Sequence, residues 1–230
     1  MQVEIWSDVM CPWCAVGKAR FEAALATFEH REALSVRWRS FELDPQAPRE
    51  QPGDLASRLA SKYGMSKPQA LAMMDRVTQT AAECGLDFHF EKARSGNTFD
   101  AHRLLHLAAE RGVQDAAKSR FLKAYLSEGE AVGLPEVLRR LAVDVGLDAD
   151  EVAAVLAGDA YAAEVRADER RARELGIRGV PFFLFAGQFG VSGAQPEDVF
   201  KQALALAWEK SQPAAASGGE VCDDSGCAIP

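Results

Sequence analysis

Two cysteines three positions apart enclose a proline and a tryptophan in the stretch Cys11-Pro12-Trp13-Cys14. A short apolar run, Val3-Glu4-Ile5-Trp6, precedes them, and a helical pattern from Ala15 to Phe28 follows. Cys11 therefore stands where a strand hands over to the first turn of a helix. There the free backbone N–H groups and the positive end of the helix dipole favour an anion, which for cysteine is the thiolate. Pro12 suits that turn because no N–H is needed from it. Cys14 shares the face of the turn with Cys11 and can attack a mixed disulfide formed by it. The chemistry open to such a pair is thiol–disulfide exchange. A zinc site would need a second ligand pair nearby, and the sequence offers none, so no metal is expected. A purely structural disulfide across so small a loop would stabilise little.

The elements that must position this pair are strands and helices in a definite order. Leu34 to Leu43 carries apolar residues at 34, 36, 38, 41 and 43, with a shift near Ser40, and predicts a strand with an irregularity there, ended by Asp44-Pro45. Strand, helix, strand makes a right-handed βαβ unit with parallel strands. A proline-containing linker runs from Gln46 to Gly53. From Asp54 to about Leu175 the periodicity is helical throughout. Gly64 stops the first of these helices, and Ser66-Lys67-Pro68-Gln69 reads as a capping box opening the second, with Leu71, Met74, Val77 and Ala81 on its inner face. Further helices run from Asn97-Thr98 to Gly112, around Phe121 to Gly129, Pro135 to Gly146, Asp150 to Gly158, and up to Leu175-Gly176. The last carries the run Arg166 to Glu174, which reads as a solvated face with internal ion pairs. Strand signals return over Ile177 to Phe185, followed by a turn at Ala186-Gly187, a short partner strand at 188–191, and a helix from Pro196 to Trp208.

The order is β-α-β, helical insertion, α-β-β-α. The expected fold is α/β and thioredoxin-like: residues 1–45 and 177–210 form the thioredoxin-like domain, 54–175 a helical insertion roofing the site, and 211–230 a tail. The net charge of −8 over 230 residues makes nucleic acid an unlikely partner class. No apolar run is long enough to cross a bilayer. The chain enters a strand directly from Met1, with no basic n-region or apolar h-region, and the cytosol is the expected compartment. Its five cysteines do not form a disulfide framework; they sort into Cys11/Cys14, Cys222/Cys227 and Cys84.

Five segments carry a family likeness: Asp8-Val9-Met10-Cys11-Pro12-Trp13-Cys14, Phe41-Glu42-Leu43-Asp44-Pro45, Asn97-Thr98-Phe99-Asp100-Ala101-His102-Arg103, Gly179-Val180-Pro181-Phe182-Phe183 and Gly193-Ala194-Gln195-Pro196. Together they resemble the DsbA family of thioredoxin-fold oxidoreductases, most closely its cytosolic FrnE-like branch. The resemblance implies a dithiol/disulfide exchange enzyme with Cys11 as nucleophile and Cys14 as resolving thiol. It also implies a cis peptide at Val180-Pro181 facing the dithiol, where a Val180 backbone group could pair with an extended substrate.

Other residues leave alternatives open. His102 and His106 are four apart on one helix, which suits metal ligation, a groove lining or a plain helical surface. Glu42 or Asp44 could assist proton transfer to Cys14, or cap the strand. Cys84, beside Gly85, reads as a small buried or half-buried residue. In the tail, Cys222-Asp223-Asp224-Ser225-Gly226-Cys227 can close a disulfide around a turn. The chain from Lys210 to Cys222 reaches about 20 Å typically and about 40 Å when straight, against a domain radius of gyration of about 17 Å. The tail is therefore expected to act as a secondary redox pair that exchanges disulfides with Cys11 or caps the oxidised site, with a lone metal-binding or adventitious pair as the alternative. Replacing Cys222 and Cys227 together by serine should then change the turnover of Cys11/Cys14, and unchanged turnover would end the relay idea.

The expected function is disulfide reduction or isomerisation on protein or peptide disulfides, with thioredoxin or glutathione as reductant and no cofactor beyond the two sulfurs. Two alternatives stand beside it. One is a glutathione-dependent kappa-type transferase or 2-hydroxychromene-2-carboxylate isomerase, whose members usually carry serine at the active-site turn and lack the second cysteine. The other is a holdase-type binding module.

Overall fold

A computed structural model describes residues 1–211; Cys222 and Cys227 lie outside the described residues. Four strands form one mixed sheet: β1 (Gln2–Ser7), β2 (Ser35–Ser40), β3 (Phe182–Phe185) and β4 (Phe189–Ser192), in the order β2-β1-β3-β4. β1 pairs in parallel with β2, from Gln2 opposite Ser35 to Ser7 opposite Ser40, and antiparallel with β3. Because β1 is central, five of its six residues are buried. Val3 and Ile5 point to one face, against Phe21, Phe183, Phe185 and Phe200. Trp6 points to the other, against Ala172, Ile177 and Leu184. That alternation is the two-residue period of a strand covered on both sides.

The first face is covered by α1 (Pro12–Ala26) and α9 (Glu197–Ser211). Between β2 and β3 run α2 (Leu55–Tyr63), α3 (Lys67–Glu83), α4 (Phe99–Glu110), α5 (Gln114–Lys123), α6 (Pro135–Asp144), α7 (Ala149–Ala157) and α8 (Ala162–Glu174). A single π turn, Ala124–Glu128, extends α5 and closes on Gly129 at φ 74°. The capping box at Ser66 and Gln69 forms as the sequence predicts, and Gly64 ends α2 in the left-handed conformation. Cys11, Cys14, Ala15 and Val16 belong to the same apolar core as Leu104, Phe121, Leu126 and Leu141, so the helices between the two sheet halves pack directly on the active-site turn.

Four sequence expectations need correction. β2 stops at Ser40 rather than Leu43, because Ser7, its last partner, ends β1 and the Leu43 N–H turns to the Asp8 carboxylate at 2.7 Å. β3 starts at Phe182 rather than Ile177; Pro181 has no N–H to give a ladder. On α3, Leu71 is exposed, and Ala70 joins Met74, Val77 and Ala81 on the inner face.

The charged run on α8 is the largest correction. Asp168 and Glu169 are buried. Asp168 accepts from Arg39 Nη1 at 2.9 Å and from the Ser40 N–H at 2.9 Å, and lies 3.2 Å from His106 Nε2. Arg166 reaches Glu42 and Arg171 reaches Glu4. Asp168 and Glu169 thus form an inner edge of the run that meets charges from other elements, which burial requires of them. Arg170, Arg173 and Glu174 stay exposed, and Arg166 pairs with Glu169 within the helix at 2.8 Å, as the sequence predicts.

Candidate active site

Cys11 is the N-cap of α1, with its backbone extended (φ −87°, ψ 113°) and its side chain free of any capping bond. Its carbonyl accepts from the Cys14 and Ala15 N–H groups, which closes the first turn around Pro12 and Trp13. The turn brings the two cysteines to different depths. Cys11 keeps 4% of its surface, Cys14 keeps none, and Trp13 beside them is 41% exposed. Cys11 Sγ donates to the Val180 carbonyl oxygen at 3.6 Å, across 169 residues of sequence. The Val180-Pro181 peptide is cis, as the family resemblance implied.

A glycine makes this approach possible. A Cβ on Gly17 would sit 2.8 Å from Pro181 Cγ and 3.4 Å from Phe183 Cζ. The loop is held from its other end too: the Gly193 N–H donates to the Pro181 carbonyl at 2.8 Å, and Arg20 Nη1 donates to the Ala194 carbonyl at 2.8 Å. In an unobstructed helix, alanine would gain about 1 kcal/mol over glycine. Here the rigid proline ring blocks it, and overpacking costs about 1–3 kcal/mol. Gly17→Ala is therefore expected to lower stability by about 1 kcal/mol on balance. A rise in the urea midpoint of this variant would show that the loop yields freely.

Behind the turn lies a buried polar cluster. Asp8 is wholly buried; its carboxylate accepts from the Leu43 N–H at 2.7 Å and the Met10 N–H at 3.4 Å. His102 on α4 is wholly buried, with Nε2 3.6 Å from Asp8 Oδ1, rather than lining an open groove or facing solvent. Burial works against the Asp8 charge, but His102, the Leu43 N–H and Lys118 together hold its carboxyl below the usual range. Lys118 on α5 is also wholly buried, and Nζ donates to the Ser7 carbonyl at 3.1 Å. Burial pushes its ammonium down to about 8. Cys11 is held above the ordinary thiol value by its hydrogen bond with Cys14 and by burial. Cys14 lies below that value: burial opposes its charge, but the Cys11 thiol, the Lys118 ammonium and the Ser7 hydroxyl outweigh it.

The structure thus brings together Cys11, Pro12, Trp13, Cys14, Val180 and Pro181, with His102 one layer behind through Asp8. It sends other candidates elsewhere. Glu42 is buried against Arg166 and Asn97, with its carboxyl raised by burial. Asp44 accepts from Gln51 at 3.2 Å. His106 turns to Ser40 and Asp168. Cys84 caps the end of α3 and packs half-buried against the core.

Sequence reasoning passed over Ser7 and Lys118 and met Asp8 only as part of the family segment. Lys118 left a readable signal. It precedes Phe121, Leu122 and Tyr125 by three, four and seven positions, so it falls on the apolar stripe of its helix, where a lysine has no solvent to enter.

The comparisons with known proteins agree with this geometry. The model of the DSBA-like thioredoxin domain matches residues 2–205. A solved structure described as a probable DsbA oxidoreductase from Streptomyces coelicolor is 50% identical, with a TM-score of 0.88 over 100% of this chain and 99% of that one. An uncharacterised protein of Bacillus subtilis, YwbO, is 28% identical over 89% of this chain and 96% of its own length. At the level of fold alone, the cytosolic disulfide reductase DsbM of Pseudomonas aeruginosa, solved with GSH, aligns with a TM-score of 0.64 at 19% identity, covering 91% of this chain and 100% of that one. No helix among the described residues is long and apolar enough to cross a membrane. With the match spanning nearly all of the described chain and a free dithiol at the head of α1, the protein belongs to the DsbA-like thioredoxin-domain family of thiol–disulfide oxidoreductases.

Proposed function

We propose that this protein reduces or isomerises protein disulfides through Cys11 and Cys14, in a cytosol whose thioredoxin or glutathione system returns it to the dithiol. The observation that carries the reading is the free dithiol at the head of α1, in which Cys11 keeps 4% of its surface and Cys14 none. Once one proton has left the pair, the other can sit on either sulfur, and Cys11 is the one that keeps surface for a substrate to meet. With the proton on Cys14, the Cys11 thiolate attacks one sulfur of the substrate disulfide, that S–S bond breaks, and the other substrate sulfur leaves as a thiolate. The leaving thiolate takes up the proton that Cys14 gives up. Cys14 then attacks Cys11 Sγ, the mixed disulfide breaks, and the second substrate sulfur departs as a thiolate that takes its proton from water. Two electrons have passed to the substrate, and Cys11–Cys14 is a disulfide. A reducing compartment keeps the pair as the dithiol, which favours reduction and isomerisation over net oxidation.

The kappa-type alternative does without a second cysteine, and the buried Cys14 argues against it. The test is insulin reduction driven by dithiothreitol, in wild type and Cys11→Ser. Turnover that disappears in Cys11→Ser is the expected result. A folded wild-type protein that turns over no faster than dithiothreitol alone overturns the proposal.

A further inference from the structure

Two lysines lie against the indole of Trp38, and their surroundings differ. Lys18 on α1, 5.7 Å from the ring centroid, has two carboxylates, Glu22 and Asp115 at 3.1 Å. Lys118 on α5, 5.5 Å from the same centroid, is fully buried and forms no ion pair with any described carboxylate. Its one hydrogen bond goes to a neutral group, the Ser7 carbonyl. An ammonium withdrawn from water without a counter-ion costs several kcal/mol, so such residues are rare unless something pairs with them. Asp8 is the nearest candidate on the active-site turn, but its oxygens already accept the Leu43 and Met10 N–H groups and face His102. The sulfurs of Cys14 and Cys11 are the remaining groups that can carry negative charge there.

We propose that the Lys118 ammonium, supplied by the helical insertion, is the counter-ion of the Cys11/Cys14 thiolate and thereby sets how strongly the pair holds its electrons. This rests on the dithiol function proposed above. The groups facing Lys118 are Cys14, Cys11 and Asp8 on the active-site turn and, as the one opposing cation, Lys18 on α1; Cys14 acts on it most strongly. His102 on α4 acts through Asp8. In the reduced protein one thiol proton leaves the pair and the thiolate balances the ammonium. When the pair becomes a disulfide, both sulfurs are neutral and Lys118 loses its partner. The reduced form is thus selectively stabilised, which makes the pair a stronger oxidant than it would be without Lys118. During resolution the same ammonium faces Cys14 as its thiolate forms, before it attacks Cys11 Sγ and expels the substrate thiolate. Lys118 gives up and takes up no proton over the cycle.

Coupling between two sites is reciprocal, so wild-type protein can test it. With lysine labelled at the terminal carbon and nitrogen, the Lys118 resonance is assigned by its disappearance in Lys118→Met and titrated in reduced and oxidised wild type. The expected result is a lower midpoint in the oxidised form. In parallel, wild type and Lys118→Met are equilibrated with reduced and oxidised glutathione. Lys118→Met should be oxidised with an equilibrium constant about tenfold larger, a potential about 30 mV lower. An equal midpoint in both redox states, or an equal potential in both proteins, overturns the proposal. Failure of the underlying reading is distinct: thiol counting would find that wild-type Cys11 and Cys14 form no reversible disulfide with glutathione.

Discussion

Cys14→Ser is expected to stall halfway. With reduced protein, an oxidised peptide substrate and no added thiol, the variant should form the Cys11 mixed disulfide and then release product at least about a hundredfold more slowly than wild type. The reason lies in the geometry of the turn. Cys11 Sγ, 3.6 Å from the Val180 carbonyl, is untouched by the change and keeps the little surface it has in wild type. Nothing else behind it can attack: Ser7 and Asp8 offer oxygens, and Lys118 is held to the Ser7 carbonyl. A serine hydroxyl at position 14 is a poor nucleophile toward sulfur, so attack is preserved and resolution is lost. Mass spectrometry of the reaction should find a stable adduct on Cys11. Loss of the adduct with wild-type kinetics would mean that another thiol, such as Cys84 or one of the tail cysteines, resolves the intermediate. Adduct formation slowed as much as release would place the nucleophilic thiolate on Cys14.

The parts of this site that can be read in the sequence are those whose physics is local. The dithiol is visible because cysteine spacing and the switch from strand to helix pattern lie within about twenty-five residues, as does the fit of Pro12 to a first turn. The capping box at Ser66 and Gln69 and the stop at Gly64 are equally local, and both form. The cis Val180-Pro181 bond was expected from family likeness; the chain around it has no local reason to signal it. What escaped depends on distant partners. The charges of α8 all look solvated in isolation, yet Asp168 is buried because Arg39 arrives from the other end of the fold to meet it, and Arg166 and Arg171 lean onto the buried Glu42 and Glu4. The strand over β2 looks longer than it is because Phe41 and Leu43 resume an apolar alternation after the shift at Ser40, while β1 ends at Ser7 and leaves them unpaired. Lys118 escaped for a different reason. Its place on the apolar stripe was legible, but a lysine there looks like an interruption until the dithiol is found beneath it.

Lys118→Met is expected to make the oxidised protein more stable while making it a weaker oxidant. The Lys118 ammonium titrates at about 8 in the fold against an ordinary lysine value of 10.5. The folded state therefore binds that proton less readily than the unfolded chain. Below pH 8 both states carry the proton, and the native state bears the full penalty, about 3 kcal/mol at about 1.4 kcal/mol per pH unit. Between pH 8 and 10.5 the native lysine is neutral while the unfolded one is still charged, so the penalty is progressively relieved as pH rises. Methionine keeps the length of the stem and removes the charge, at the loss of the bond to the Ser7 carbonyl, about 1 kcal/mol. The net expectation is a gain of about 2 kcal/mol at pH 7 in the reduced proteins, measured by urea unfolding, with the gap closing as the pH approaches 10. In the oxidised proteins the gain should be larger, because there no thiolate offsets the penalty in wild type. A variant that is less stable at pH 7, or a gap that widens with pH, would mean that the ammonium is not held as a buried charge. A substitution that strengthens the fold and weakens the oxidant is what separates a residue kept for exchange chemistry from one kept for packing. Lys118 stands among the helices between β2 and β3, so on this proposal the segment that packs against the dithiol also supplies its counter-charge.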